Sequence, residues 1–151
     1  MDGTIKFWDV AKGTVVGTLA EKGWVESISW SPDESKMTSG STDYSVKIWD
    51  LETSSLIQIM SGHADTVWSV AWSPDGSTIA SGSEDWKVNL WNAETGALLQ
   101  ALPGHMLWVR ECRLMTRINL RMTQGSAIRK TATVFQIKIL PNSSVNSEPL
   151  W

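Results

Sequence analysis

Ser81, His63 and Asp85 are three residue types that together perform acyl transfer, and they stand close to one another in the middle of the chain. A serine activated by an imidazole, itself oriented by a carboxylate, forms a hydrolytic triad. It works only with an exposed hydroxyl and with donors for the developing oxyanion. The surrounding "SGSEDWKVNLWNAETG" (81–96) has no G-x-S-x-G elbow to expose such a serine. The same Ser and Asp recur 42 residues upstream as Ser39 and Asp43, where Glu21 takes the place of the histidine. A unit that repeats without its base is not built around catalysis. These residues therefore read as structural hydrogen-bonding groups, and the chain as a non-enzyme. With 2 His and 1 Cys no metal site of ordinary spacing can be assembled. Asp33 and Asp75 stand in turn sequences, and no glycine-rich phosphate loop is present, so neither metal nor cofactor is expected.

The elements that must hold these residues are repeated. Residues 24–60, "WVESISWSPDESKMTSGSTDYSVKIWDLETSSLIQIM", align without a gap on 66–102, "TVWSVAWSPDGSTIASGSEDWKVNLWNAETGALLQAL", with 17 of 37 positions identical. Trp30 falls on Trp72, Pro32 on Pro74, Gly40 on Gly82, Asp43 on Asp85 and Trp49 on Trp91. The opening "DGTIKFWDVAKGTVVGTLA" is the back half of the same unit. Within a unit the period is two, which specifies strands. Val67, Ser69 and Ala71 alternate with Trp68, Val70 and Trp72 in a first strand; "STIASGS", "KVNLW" and "ALLQAL" supply three more. "SPDG" closes the first turn, because proline presets φ and Asp-Gly suits a tight reversal. Four short antiparallel strands in about 42 residues is the period of a propeller blade. The expected fold class is all-β: a partial propeller of about two and a half four-stranded antiparallel blades with an atypical C-terminal tail.

"GH" at 62–63 and 104–105, "SPDG", "SGS-x-D" and "WD" at 8–9 and 49–50 resemble the WD-repeat family of β-propellers, over residues 1 to about 110. "WNAETGALLQALPGH" is similar to the repeat arrays that follow the nucleotide-binding domain in fungal and bacterial NACHT- or NB-ARC-type ATPases. The resemblance implies one buried hydrogen-bond network per blade. In the second repeat it falls on His63, Ser81 (or Ser83), Asp85 and Trp91; in the first it falls on Ser39, Asp43 and Trp49, and Trp8 is the matching tryptophan of the half unit. The resemblance also implies a protein-binding face around the central channel, at Trp24, Glu26, Thr42, Thr66, Trp68, Glu84, Trp108 and Arg110. Trp and Arg are the residue types that dominate interface hot spots. Trp30 and Trp72, by contrast, are expected to pack between blades. The implied function is a non-enzymatic protein–protein interaction scaffold. The alternatives are a sensor region of a STAND-type NTPase whose catalytic domain lies outside this chain, or a truncated gene product without independent function.

Charge divides the chain. Residues 1–105 carry 6 Lys/Arg and 14 Asp/Glu, whereas 106–151 carry 7 and 2. The organisation expected is a half repeat (1–20), two repeats (21–60 and 61–102), a segment at 103–140 and a flexible tail at 141–151. Two accounts of 103–140 stay open. It is a worn third repeat, since "GHMLWVRECRL" still aligns with "GHADTVWSVAW"; or it is foreign sequence from a frameshift or intron, which explains the missing "SPDG" and the sudden arginines. Scattered basic residues without interleaved aromatics make a weak nucleic-acid footprint, so phosphate binding is not expected. The single cysteine, Cys112, excludes an intrachain disulfide. No secretory signal and no apolar run of about 18 residues is present, so the expected setting is cytoplasmic, with the nucleus open and no membrane. Blades bury their faces on one another and closed propellers typically have about 4–8. The chain is therefore expected to be a fragment of a larger propeller or to associate with copies of itself.

Overall fold

A computed structural model describes residues 3–103 and 109, together with strands 112–123 and 126–137; beyond Cys112 those strands are described by their backbone. Strands β3 (Val25–Trp30), β4 (Lys36–Ser41), β5 (Ser45–Asp50) and β6 (Ser55–Ser61) form one antiparallel four-stranded sheet in chain order. β7 (Val67–Trp72), β8 (Thr78–Ser83), β9 (Val88–Asn92) and β10 (Leu98–Leu102) form a second. Before them, β1 (Thr4–Asp9) and β2 (Thr14–Ala20) make a two-stranded sheet. After them, β11 (Cys112–Thr123) and β12 (Ser126–Ile137) make another. The architecture is all-β, as the period of two requires.

Turn chemistry accounts for the blade outlines. In "SPDG" the Ser73 hydroxyl donates to Asp75 at 2.5 Å and accepts from the Thr78 amide at 2.9 Å, while Gly76 closes the reversal at φ 74°. The first repeat has the same turn with Glu34 at φ 59° in place of the glycine. There the hydroxyls of Ser31 and Ser35 stabilise the Asp33 carboxylate and hold its pKa at about 2.

One departure from strict alternation matters for the face. Val67 pairs with Ser83 but Ser69 pairs with Gly82, so Trp68 is an extra residue; in the preceding blade Glu26 is extra in the same way. A bulge of this kind re-aims the side chain it inserts. Alternation alone groups Trp68 with Val70 and Trp72. The bulge instead lets Val67 join those two in the core and turns Trp68 out, half-buried.

The core lies between blades. Val67, Val70 and Trp72 pack with Ile79 and Trp91 against Val46, Ile48 and Met60 of the preceding blade. Ile5 and Leu19 of β1–β2 meet Met37 and Trp49 in the same manner, and Val109 and Cys112 meet Ala80, Val88 and Leu90. Each large apolar side chain so buried contributes about 1.5–3 kcal/mol. The close approach needs glycine. A Cβ on Gly40 would stand 2.8 Å from Val67 Cγ1, and one on Gly82 would stand 2.6 Å from Val109 Cγ1. Blade-to-blade hydrogen bonds repeat as well. The Val70 amide donates to Ser27 Oγ at 3.3 Å, and the Cys112 amide donates to Ser69 Oγ at 2.7 Å.

Candidate interaction face and its supporting network

Ser81, His63 and Asp85 do form a hydrogen-bonded line. His63 Nε2 lies 2.7 Å from Ser81 Oγ and Nδ1 lies 3.0 Å from Asp85 Oδ2. Trp91 Nε1 donates to the same Ser81 hydroxyl at 2.7 Å. Burial, the largest influence, lowers the His63 pKa; the Asp85 hydrogen bond and charge offset this only in part. The ring is therefore neutral at pH 7, and one assignment satisfies every group. The indole N–H donates to Ser81, the serine O–H donates to Nε2, and Nδ1–H donates to the carboxylate. Burial acts to raise the Asp85 pKa, but the Ala64 amide, His63 and the Lys87 amide bond the carboxylate and the net shift is downward. Ser81 is 0% exposed and its oxygen is engaged by the indole, so no substrate carbonyl can reach it. The line does a structural job. It ties the loop before β7 to the turn after β8 and to β9. Ser83, the other hydroxyl considered, instead donates to the Asp65 carbonyl at 3.0 Å and accepts from the Asp85 amide.

The first repeat reaches the same end with different chemistry. Trp49 Nε1 donates to Ser39 Oγ at 2.9 Å, and Ser39 Oγ donates to Glu21 Oε2 at 2.9 Å. Glu21 cannot continue to Asp43, because both are acidic. Lys47 supplies the missing cation: it ion-pairs with Glu21 and, at 2.6 Å, with Asp43, and it donates to Ser45 Oγ at 2.8 Å. Burial pushes the Asp43 pKa up, while hydrogen bonds from Lys47 and Ser45 and the lysine charge bring it net below its usual value. Glu21 and Lys47 are both buried. Sequence reasoning placed Glu21 at the histidine position but missed Lys47 as its partner. The signal available was a lysine on the blade interior two residues before Trp49, where Asn89 stands before Trp91.

Trp8 stands apart from this pattern. It was expected in a network, yet it is 58% exposed, against 4% for Trp49 and 1% for Trp91. Its sheet has two strands and no second-strand serine to receive the indole. Trp72 is buried between blades, while Trp30 is exposed and meets Phe7 edge-on at 5.8 Å.

The face residues fall into two equivalent clusters. The Thr42 amide donates to the Trp24 carbonyl at 3.0 Å, and Thr42 Oγ1 accepts from the Trp24 amide at 2.9 Å. In the next blade the Glu84 amide donates to the Thr66 carbonyl at 2.9 Å, and Trp68 Nε1 donates to Glu84 Oε2 at 3.1 Å. Glu26 and Trp68 are the two bulge residues. Trp24 is 53% exposed, whereas Glu26, Thr42, Thr66, Trp68 and Glu84 are half-buried. Trp108 and Arg110 lie outside the described residues.

Two further residues belong at this end of the blades. Tyr44 (φ 70°) and Trp86 (φ 65°) directly follow Asp43 and Asp85 in the turns from second to third strand. They are 46% and 55% exposed. A bulky residue in the left-handed region is an outlier, and here it occurs twice at equivalent positions. The signal in the sequence was "D-Y-S" and "D-W-K" in turns where glycine is the unstrained choice.

Among the described residues no group of His, Cys, Asp and Glu could hold a metal, and no helix is long and apolar enough to cross a membrane. The model of the family "WD domain, G-beta repeat" matches residues 13–50 and 54–92. Its units run from the outer strand of one blade through the third strand of the next. Polyadenylation factor subunit 2 of Neurospora crassa is 37% identical over 67 residues, covering 44% of this chain and 10% of that protein. A ribosome biogenesis protein WDR12 homolog from Nematostella vectensis is 40% identical over 72 residues, covering 44% and 17%. The chain thus spans a small part of the length of these relatives. The solved structure of U3-55K superposes with a TM-score of 0.71 at 20% identity, over 85% of this chain and 45% of that one. Repeat spacing, four-stranded antiparallel blades, the Trp–Ser link in both full blades and the match over half its length together establish that this chain belongs to the WD40 repeat family, whose β-propellers serve in general as non-enzymatic scaffolds for protein partners.

Proposed function

We propose that the chain is a protein-interaction module that binds its partner through the end of the blades carrying Trp24, Glu26, Thr42, Tyr44, Thr66, Trp68, Glu84 and Trp86. One observation carries this reading: Tyr44 and Trp86 hold large rings in solvent at a left-handed φ. Such a conformation costs about 1–2 kcal/mol for a residue with a Cβ. Exposed rings on a pre-organised turn are what a binding surface needs, since they add contact area at little cost in side-chain freedom. The excess of acid over base in residues 1–105 favours a partner segment rich in Arg and Lys, and a guanidinium gains further from an aromatic face.

A displayed peptide library graded in Arg and Lys content tests this directly. Basic peptides should be enriched, and replacing both Trp24 and Trp86 with Ala should weaken the selected ones at least tenfold, with the unfolding midpoint unchanged. Enrichment indifferent to both replacements would remove the face assignment.

The similarity of "WNAETGALLQALPGH" to repeats of NACHT- and NB-ARC-type ATPases supports a second reading. In it the same face is the sensor of a nucleotide-hydrolysing protein. A Walker motif upstream in the same reading frame decides for it, and its absence from the full transcript decides against it.

A further inference from the structure

The opposite end of the two full blades holds a cleft that the binding face does not use. The turns that join β4 to β5 and β8 to β9 carry Tyr44 and Trp86; those that join β3 to β4 and β7 to β8 lie at the other end of the same strands. Between these latter turns is a cavity of about 250 Å³. Pro32, Asp33 and Lys36 line it from one blade, and Trp72, Asp75 and Glu94 from the next. The two walls stand close, since a Cβ on Gly76 would lie 3.7 Å from Pro32 Cδ.

Two features of the cleft await a counterpart. The first is charge. Asp33, Asp75 and Glu94 face one cation, Lys36, whose charge is shared with Asp50, its cross-strand neighbour. Hydrogen bonds from the serines of each turn keep the two aspartates ionised, Asp33 at a pKa of about 2 and Asp75 below its usual value. Asp75 takes its bonds from Ser73 and Ser77 on Oδ1, so Oδ2 keeps its capacity to accept. The second feature is a donor. Trp72 is 9% exposed, and among the described residues its buried Nε1 has no hydrogen-bond partner. Buried polar groups are ordinarily paired, so a donor left over in the lining of a cleft points to an acceptor from outside.

We infer that this cleft is a second recognition site, one that takes a single arginine of a partner peptide. The guanidinium lies among Asp33, Asp75 and Glu94, and the arginine's own carbonyl accepts from the Trp72 indole once the ring turns toward the cleft. Size suits one side chain, because pockets for whole small ligands run to about 300–1,000 Å³. The carboxylates are not grouped for a metal ion, which leaves an extended cation as the fit. A guanidinium offers five donors in a planar fork and gains further from an indole face, where an ammonium is a point charge. The site stands apart from the binding-face reading, being built from other residues at the other end of the blades.

The full chain labelled with nitrogen-15 tests this, with N-acetyl-arginine N-methylamide as the probe and the Trp72 indole N–H signal as the readout. The signal should move saturably with the probe and stay in place with the citrulline counterpart, which keeps the shape and loses the charge. Glu94→Gln, on an exposed turn that folding does not depend on, should weaken the probe about threefold, the worth of one exposed charge pair. Asp75→Asn keeps an acceptor for Ser73 and Ser77 and should weaken it about tenfold, as loss of a charged hydrogen-bond partner does. Replacing Trp24 and Trp86 with Ala should change none of this, so failure of this site and failure of the binding face are read separately. A Trp72 signal that stays still at the highest soluble probe concentration, as it would if a water already paired it, would overturn the inference. So would a shift equal with the citrulline compound or with methylguanidinium, or one indifferent to both carboxylate replacements.

Discussion

At His63 a neutral imidazole accepts from the Ser81 hydroxyl at Nε2 and donates to Asp85 from Nδ1. His63→Ala leaves the buried Ser81 hydroxyl proton without its acceptor and removes one of the donors to Asp85, and leaving a buried group unsatisfied costs about 1–3 kcal/mol. The variant should unfold at markedly lower urea with no change in peptide binding by the molecules that remain folded. The same residue predicts a pH dependence. Its folded pKa is depressed below 6.5, so on acidification the unfolded chain takes up a proton that the folded ring resists. Stability is fully present above that value and falls as pH drops below it. Asp85 and Asp43, also depressed, extend the loss through the carboxylate range. A His63→Gln chain should show a shallower fall between pH 6.5 and 5 than the parent in urea titrations. Lys47 is the counterpart in the other blade. Lys47→Met strands Glu21 and Asp43, at about 3–5 kcal/mol for a broken buried pair. Adding Glu21→His should recover part of that loss, because the imidazole spans the gap as it does beside Asp85. The strained aromatics behave oppositely: Trp86→Gly relieves the left-handed φ and should raise stability by about 0.5–1 kcal/mol while weakening binding.

At the level of the element, blades are spaced by glycine and registered by bulges. Gly82→Ala puts a Cβ within 2.8 Å of both Cys112 Sγ and the Val109 carbonyl. A carbonyl on the facing backbone cannot step aside as a side chain can, so overpacking of about 1–3 kcal/mol is expected. Hydrogen exchange should quicken in β11 in particular, because that strand is seated on Gly82. Strict alternation along the first strand is a good guide to its existence and a poor guide to its facing. The extra residue at Glu26 and Trp68 is visible only in the pairing with the second strand. Four strands per unit, their order and their turns were legible from Trp30/Trp72, Pro32/Pro74 and the Asp-centred reversals, since those depend on neighbours in the chain.

At the level of the whole molecule, stability is shared between neighbouring blades. A blade hides its apolar face on the next blade, as Val67, Val70 and Trp72 do against Val46, Ile48 and Met60. A ligand that binds the folded blades and not the unfolded chain stabilises them by mass action, so a selected basic peptide should raise the melting temperature as its concentration rises. A midpoint unmoved by a hundredfold range of peptide would speak against binding to the folded blades. The acidic character of the blades and the basic character of residues 106–151 are facts of composition.

The sequence by itself determined the repeat, the strand period, the structural nature of Ser81, His63 and Asp85, and the equivalence of Trp24 with Thr66 and of Thr42 with Glu84. All of these are encoded in spacing and residue type, which act locally or recur at a fixed interval. The tertiary structure alone decided that Lys47 bridges Glu21 and Asp43, that Trp68 leaves the core, that Trp8 stays exposed, and that Tyr44 and Trp86 share the end of the blades with Trp24. Each of those outcomes depends on which strand lies alongside and how closely its backbone approaches, and a chain read in one dimension carries no distance between residues far apart in it.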